Sequence, residues 1–208
     1  MAERALVIAT TNPGKVREIE ELLVGVPFAL VTLARWRDVA IPEETGRTFE
    51  ENARQKALYY AAATGELTVA EDSGLEIDAL AGAPGVESAR FGGPGSTYAE
   101  KFALIYDALR EHGAATSTAR FVCALALAHR DRVVFEARGT VEGLIAPLPQ
   151  GDGGFGYDPI FFYPPLGRTL AQVADRKSAI SHRGQAFRAL RVFLERPDTR
   201  CTLLGAND

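Results

Sequence analysis

Three short stretches of this 208-residue chain gather side chains suited to a charged, flat ligand. The first is Thr10-Thr11-Asn12-Pro13-Gly14-Lys15. The apolar run Leu6 to Ala9 stops at it, and Val16, Ile19, Leu22 and Leu23 then recur on one helical face. The pattern predicts strand, tight polar loop, helix. A helix N-terminus, with unpaired N–H groups and the positive end of its dipole, favours an anion. Asn12 suits the cap, Pro13 the first helical position and Gly14 a close approach to backbone, while Lys15 adds a point charge. A Walker loop is excluded, because Val16 follows Gly14-Lys15 and no glycine stands five residues before Gly14.

The second stretch, Glu71-Asp72-Ser73-Gly74, follows the apolar residues Leu67 to Ala70, which read as a short buried strand. Carboxylates at the carboxyl end of a strand in an open α/β sheet face the ligand crevice. An acidic pair there suits Mg²⁺, which binds through one or two carboxylates plus substrate phosphates. Glu43 and Glu44 offer further carboxylates upstream. The third stretch, Gly151 to Gly156, matches G-x-G-x-x-G letter for letter. A dinucleotide site is nevertheless rejected, since Pro159 and the apolar residues Ile160 to Phe162 follow where a helix should begin. A glycine-rich loop carrying Phe155 and Tyr157 instead suits a pocket where an aromatic ring stacks on a flat ligand. Downstream, Lys177, His182 and Arg183 stand just before a final helix and read as an anion or polar-base site. His112 and His129 have no carboxylate or cysteine at metal-ligand spacing, so no zinc site is expected.

The elements that must position these residues alternate. A second strand is expected over Phe28 to Leu33. Thr48-Phe49-Glu50-Glu51 reads as a capping box opening a helix that runs to Gly65, and Thr97-Tyr98-Ala99-Glu100 as a second, opening a helix to Gly113. Arg120 to His129 and Val133 to Val141 suggest a hairpin turned at Arg130-Asp131-Arg132. Phe187, Leu190, Phe193 and Leu194 mark the last helix. The expectation is an α/β fold: a mixed β-sheet with flanking helices, in two lobes around a central active-site cleft, residues 1–208 forming one domain.

Composition narrows the function. The chain carries 23 basic against 27 acidic residues, a net charge of −4, which argues against general affinity for nucleic acid or an anionic membrane. No apolar stretch approaches the ~20 residues that span a bilayer. Glu3 and Arg4 precede only a strand-length apolar run, which reads as no signal peptide. Two cysteines, Cys123 and Cys201, make no disulfide framework and fit a reducing cytoplasm. Only four basic residues are lysines, Lys15, Lys56, Lys101 and Lys177, and a lysine kept where arginine is the default suggests a need for a compact ammonium.

Six motifs then occur together and in order. They are Thr10-x-Asn12-x-x-Lys15, the stretch from Glu43 to Ala53, Glu71-Asp72-Ser73-Gly74-Leu75, the stretch from Ala83 to Arg90, Gly153 to Pro159, and Lys177-Ser178-x-x-Ser181-His182-Arg183. In this combination the chain resembles the inosine/xanthosine triphosphate pyrophosphatase family of non-canonical purine nucleotide hydrolases, from Leu6 to about Leu194. It departs at Glu71, where many relatives carry aspartate. The resemblance implies hydrolysis of ITP, dITP and XTP to the monophosphate and pyrophosphate, with Mg²⁺, by a cytoplasmic homodimer. It further implies that Thr10, Thr11, Asn12, Pro13, Gly14 and Lys15 bind the triphosphate. Glu43 and Asp72 would hold the metal, and Asp72 would also accept the proton of the attacking water. Ser73 and Lys177 would contact substrate. Phe155, Gly156, Tyr157, Asp158, His182 and Arg183 would form the nucleoside pocket. Arginine is donor-only, so Arg183 is expected to read the base edge, accepting the 2-oxygen of xanthine and opposing the 2-amine of guanine. Lys56, one turn after Asn52, is expected to face the phosphates.

Overall fold

The computed structural model describes residues 4–204. Among the described residues seven strands are hydrogen-bonded in the order β2-β1-β3-β4-β5-β6-β7. They are β1 (Ala5–Ile8), β2 (Ala29–Thr32), β3 (Leu67–Ile77), β4 (Thr118–His129), β5 (Arg132–Ile145), β6 (Phe161–Tyr163) and β7 (Arg168–Thr169). β1 runs parallel to both β2 and β3, with Leu6 opposite Leu30 and Leu67, whereas β6 pairs antiparallel with β5 and β7. The sheet is mixed and the fold α/β, as the sequence predicts. The helices are α1 (Pro13–Leu22), α2 (Phe49–Thr64), α3 (Tyr98–Glu111), α4 (Lys177–Ile180), α5 (His182–Glu195) and α6 (Pro197–Leu204).

The chain divides into two compact units. Of the described residues, the first comprises those up to Asp72, Cys123–Gly139 and those from Arg183 onward; the second comprises Ser73–Val122 and Thr140–His182. Each has its own core. In the first, Leu6 and Ile8 of β1 and Leu67 and Val69 of β3 pack with Ile19 and Leu23 and with Phe187, Leu190 and Leu194 of α5. In the second, Leu75 and Ile77 of β3 pack with Phe102, Ile105 and Leu109 of α3 and with Phe121, Tyr157 and Phe161. The three-and-four spacing of these α3 residues is what a helix needs to bury one stripe.

Local chemistry sets the helix ends. Thr97 caps α3 in a complete capping box with Glu100. Thr48 caps α2 through Glu51 N–H, but the Glu51 carboxylate accepts from Arg47 N–H instead of closing the box on Thr48. α2 ends at Gly65 in the left-handed region, at φ 73°, where a side chain would be strained.

β3 departs most from expectation. It does not stop at Ala70 but continues for 11 residues through Glu71-Asp72-Ser73-Gly74 to Ile77. The strand is buried on alternate residues alike, and such strands lack the polar alternation that marks length in a sequence. The hairpin is likewise longer than its apolar pattern, and α6 follows α5 where no further helix is expected.

Candidate active site

The stretch from Thr10 to Lys15 leads from β1 into the first turn of α1, and Asn12 is the cap. Its Oδ1 accepts from Gly14 N–H at 2.9 Å and from Lys15 N–H at 3.2 Å. Pro13 has no N–H, so the first three helical positions keep no unspent backbone donor. This corrects the expectation of a backbone anion cradle. The helix contributes its dipole, and the side chain of Lys15 is the strong donor. Thr10, Thr11 and Pro13 also border a cavity of about 590 Å³, lined further by Arg17, Trp36 and Arg37.

Adjacent residues of a strand point to opposite faces, and Glu71 and Asp72 obey this rule in their partners. Glu71 is ion-paired to Lys15 of α1 at 2.9 Å and to Arg183 of α5 at 3.2 Å, and accepts the Cys123 thiol at 3.3 Å. Asp72 instead meets α2: Oδ1 lies 3.0 Å from Lys56 Nζ, and Oδ2 accepts from Asn52 at 3.1 Å. The two carboxylates therefore meet different partners, Glu71 those of α1 and α5 and Asp72 those of α2. Burial works to raise the pKa of both. For Glu71 it is outweighed by Arg183 and then Lys15, which hold the carboxyl well below its ordinary range. For Asp72 burial prevails over Lys56 and Lys15, aided by the charge of Glu44, and the pKa is raised.

Lys56 joins Asp72 to the upstream acidic loop, bonding Glu44 at 2.7 Å. Burial opposes its charge, but Asp72 and Glu44 outweigh that and raise its pKa. Of the Glu43–Glu44 pair, Glu44 is the one that shares a cation with Asp72, whereas Glu43 is exposed. Asn52 is buried, and its Oδ1 accepts from Gly46 N–H at 2.8 Å, which ties the acidic loop to the same helix. A Cβ at Gly46 would stand 2.6 Å from that oxygen, so only glycine fits there.

Among the described residues no group of three or more acidic, histidine or cysteine side chains gathers to cage a metal. The donor set of Asp72 and Glu44, converging on one ammonium, instead suits an ion that arrives with a phosphate and needs only one or two carboxylates.

In the second unit the glycine-rich loop closes on Asp158. Its buried carboxylate accepts from Phe155 N–H at 2.8 Å and from Lys177 Nζ at 2.5 Å. Lys177 also lies 4.3 Å from the centre of the Phe155 ring, a cation–π contact. Phe155 and Gly156 are half-buried. Tyr157 does not match its expected role: the ring packs edge-on to Tyr98 and its hydroxyl donates to Ser88 O at 2.8 Å, which makes it a core residue. Ser88 in turn accepts from Leu75 N–H, so part of the Ala83–Arg90 motif anchors β3. His182 stacks on Phe121 at 4.9 Å. Ser73 is half-buried, immediately after Asp72.

Arg183 is fully buried in the first unit, with Nη1 on Glu18 at 2.6 Å and Nη2 on Glu71. These bonds use two of its five N–H donors, and the burial of the side chain is what a base-reading role has to overcome. The sequence reading missed Glu18, Asn52 and the Lys56–Asp72 bond. Its one available signal was Asn52 and Lys56 standing a helical turn apart, the amide among the buried Phe49, Ala53, Ala57, Tyr60 and Ala61 of the same helix.

The sequence model of the Ham1 family matches residues 6–193. A dITP/XTP pyrophosphatase of an Exiguobacterium species is 50% identical over 186 residues, covering 89% of this chain and 94% of that protein. One from Thermus thermophilus is 47% identical, covering 89% of each. Among solved structures, a HAM1 protein from Coxiella burnetii superposes with a TM-score of 0.86 at 41% identity, covering 92% of this chain and 98% of that one. The Staphylococcus aureus Ham1 protein gives 0.82 at 36% identity, with the same coverage.

Proposed function

The chain belongs to the Ham1 family, and from that premise we propose that it hydrolyses ITP, dITP and XTP to the monophosphate and pyrophosphate, clearing deaminated purines from the nucleotide pool. The observation that carries this reading is the setting of Asp72, a buried carboxylate held by Lys56 and Asn52 with Glu44 on the same lysine. Such a carboxylate can take a proton from an attacking water while cations beside it draw in a polyphosphate.

Lys15 and Lys56 balance the triphosphate charge, and the dipole of α1 adds to them. Thr10 and Thr11 offer hydroxyl donors in the same loop. Magnesium, when bound, supplies further charge neutralisation and makes water a stronger acid. Asp72 and one carboxylate of the Glu43–Glu44 pair would hold it. Glu44 is supported by its tie to Lys56, and Glu43 by the family resemblance. Phe155 stacks on the purine, with Gly156, Asp158, Lys177 and His182 around it, while Ser73 contacts substrate next to the base. Arg183 and Tyr157 act mainly by holding other groups in place. The protein works as a homodimer in the cytoplasm, where the reduced thiol of Cys123, bonded to Glu71, is stable.

Chromatography of products from all common and deaminated nucleoside triphosphates tests this reading. ITP with magnesium is expected to yield IMP and pyrophosphate. Accumulation of IDP with orthophosphate would remove the assignment.

A further inference from the structure

Four charges of the first unit close into a ring. Lys15 and Glu18 stand three residues apart on α1, one turn of the same face. Lys15 pairs with Glu71 of β3, Glu71 with Arg183 of α5, and Arg183 returns to Glu18 at 2.6 Å. The signs alternate and sum to zero. The inner pair is almost wholly buried, at 1–2% side-chain exposure, whereas Lys15 and Glu18 keep 17% and 18%. Buried charges of this kind are costly unless paired, so each inner member holds its two partners closely.

A rotation of α1 by one residue, about 100°, would carry both outer charges away from their partners. The ring therefore fixes the azimuth of α1 and, with it, the Thr10–Lys15 loop at its start. It also fixes a single ammonium. A lysine on its four-carbon stem samples many rotamers, and one N–H spent on Glu71 aims the others.

We infer that Glu71, Arg183 and Glu18 are positioning residues, a charge ring that aims Lys15 at the phosphates of the substrate. The inference rests on the reading that Lys15 is a phosphate contact, and the experiment separates the two.

The probe is inorganic pyrophosphate, measured as an inhibitor of ITP hydrolysis and by direct titration, in a double-mutant cycle of Lys15→Ala and Glu71→Gln. Lys15→Ala is expected to weaken pyrophosphate binding by about tenfold or more, and Glu71→Gln by about tenfold, with KM for ITP rising in parallel and kcat changing less than about threefold. On the Lys15→Ala background, Glu71→Gln is expected to add less than about twofold, because it acts through the missing ammonium. Glu71→Asp, which keeps the charge, restores most of the affinity. Glu18→Gln breaks the ring at its half-buried outer side, where the cost to folding is smaller than at Glu71, and is expected to give a loss of about two- to threefold that also vanishes without Lys15.

Multiplicative losses in the cycle, or a fall in kcat with pyrophosphate binding unchanged, would overturn the positioning role. Unchanged pyrophosphate binding in Lys15→Ala alone would instead overturn the phosphate assignment of Lys15.

Discussion

Asp72 has both carboxylate oxygens engaged before substrate arrives, one by Lys56 and one by Asn52. The amide fixes its geometry and the ammonium supplies a local positive field, while burial raises its pKa and so makes it a stronger base. Asp72→Asn is expected to lower kcat by ~10²–10⁴-fold with a smaller change in KM, the signature of a group used in the transition state. Steady-state kinetics with ITP measure it, and near-native turnover would reduce Asp72 to a strand residue. The acidic loop poses a choice between neighbours. Because Glu44 shares Lys56 with Asp72, Glu44→Gln is expected to raise the magnesium concentration for half-maximal rate several-fold, and Glu43→Gln to change it little. Magnesium titrations of the two variants decide between them, and the reverse ranking would return the ligand role to Glu43.

At the scale of elements, the glycine-rich loop is a closed unit built around one carboxylate. Gly154 has φ +70°, and a Cβ there would run into the Asp158 oxygen that holds Phe155 N–H and Lys177. Gly154→Ala is expected to cost about 1–3 kcal/mol through strain and clash and to raise KM for ITP more than it lowers kcat. A thermal melt with kinetics checks both, and an unchanged KM would detach this loop from the substrate. The same loop marks where sequence stops being legible. Gly151 to Gly156, Phe155 and the helix caps at Asn12, Thr48 and Thr97 could be read because each obeys a local rule of turn or cap chemistry. The length of β3 could not, because a strand buried on both faces carries no alternation to count. Nor could the separation of Glu71 from Asp72, which follows only once both lie within a strand. Tyr157 and Phe155 are two letters apart and chemically alike, yet one is core and the other half-exposed. That difference is set by Tyr98 and Ser88, far off in the chain.

For the whole molecule, the buried charges make stability depend on pH in a definite direction. The folded pKa of Glu71 lies well below its ordinary 4.5. Its stabilisation is therefore fully present above about pH 4.5 and is lost as the pH falls from there toward the folded value. Asp72 has the opposite sign, since its raised pKa makes the folded state take up a proton first. Glu71→Gln is expected to melt lower than the parent at pH 7, by about 3–5 kcal/mol of stability if the buried cations are left uncompensated. The gap should narrow as the pH falls below 4.5. Melting curves from pH 7 to 3.5 test this, and a gap of constant width would show Glu71 to be uncharged in the folded protein.

The division of the chain has a bearing on how the protein is made. Neither unit is contiguous: the first opens the chain, is interrupted after Asp72, and is completed only from Arg183 onward. Phe187, Leu190 and Leu194, which close its core against β1 and β3, follow all seven described strands in the chain. β1 and β3 must wait, unsealed, for α5, so the core of the first unit cannot close until that helix has been made. A nascent chain stalled before α5 would present the apolar faces of β1 and α1 to chaperones and proteases, and quality control would read an unfinished core from the missing α5.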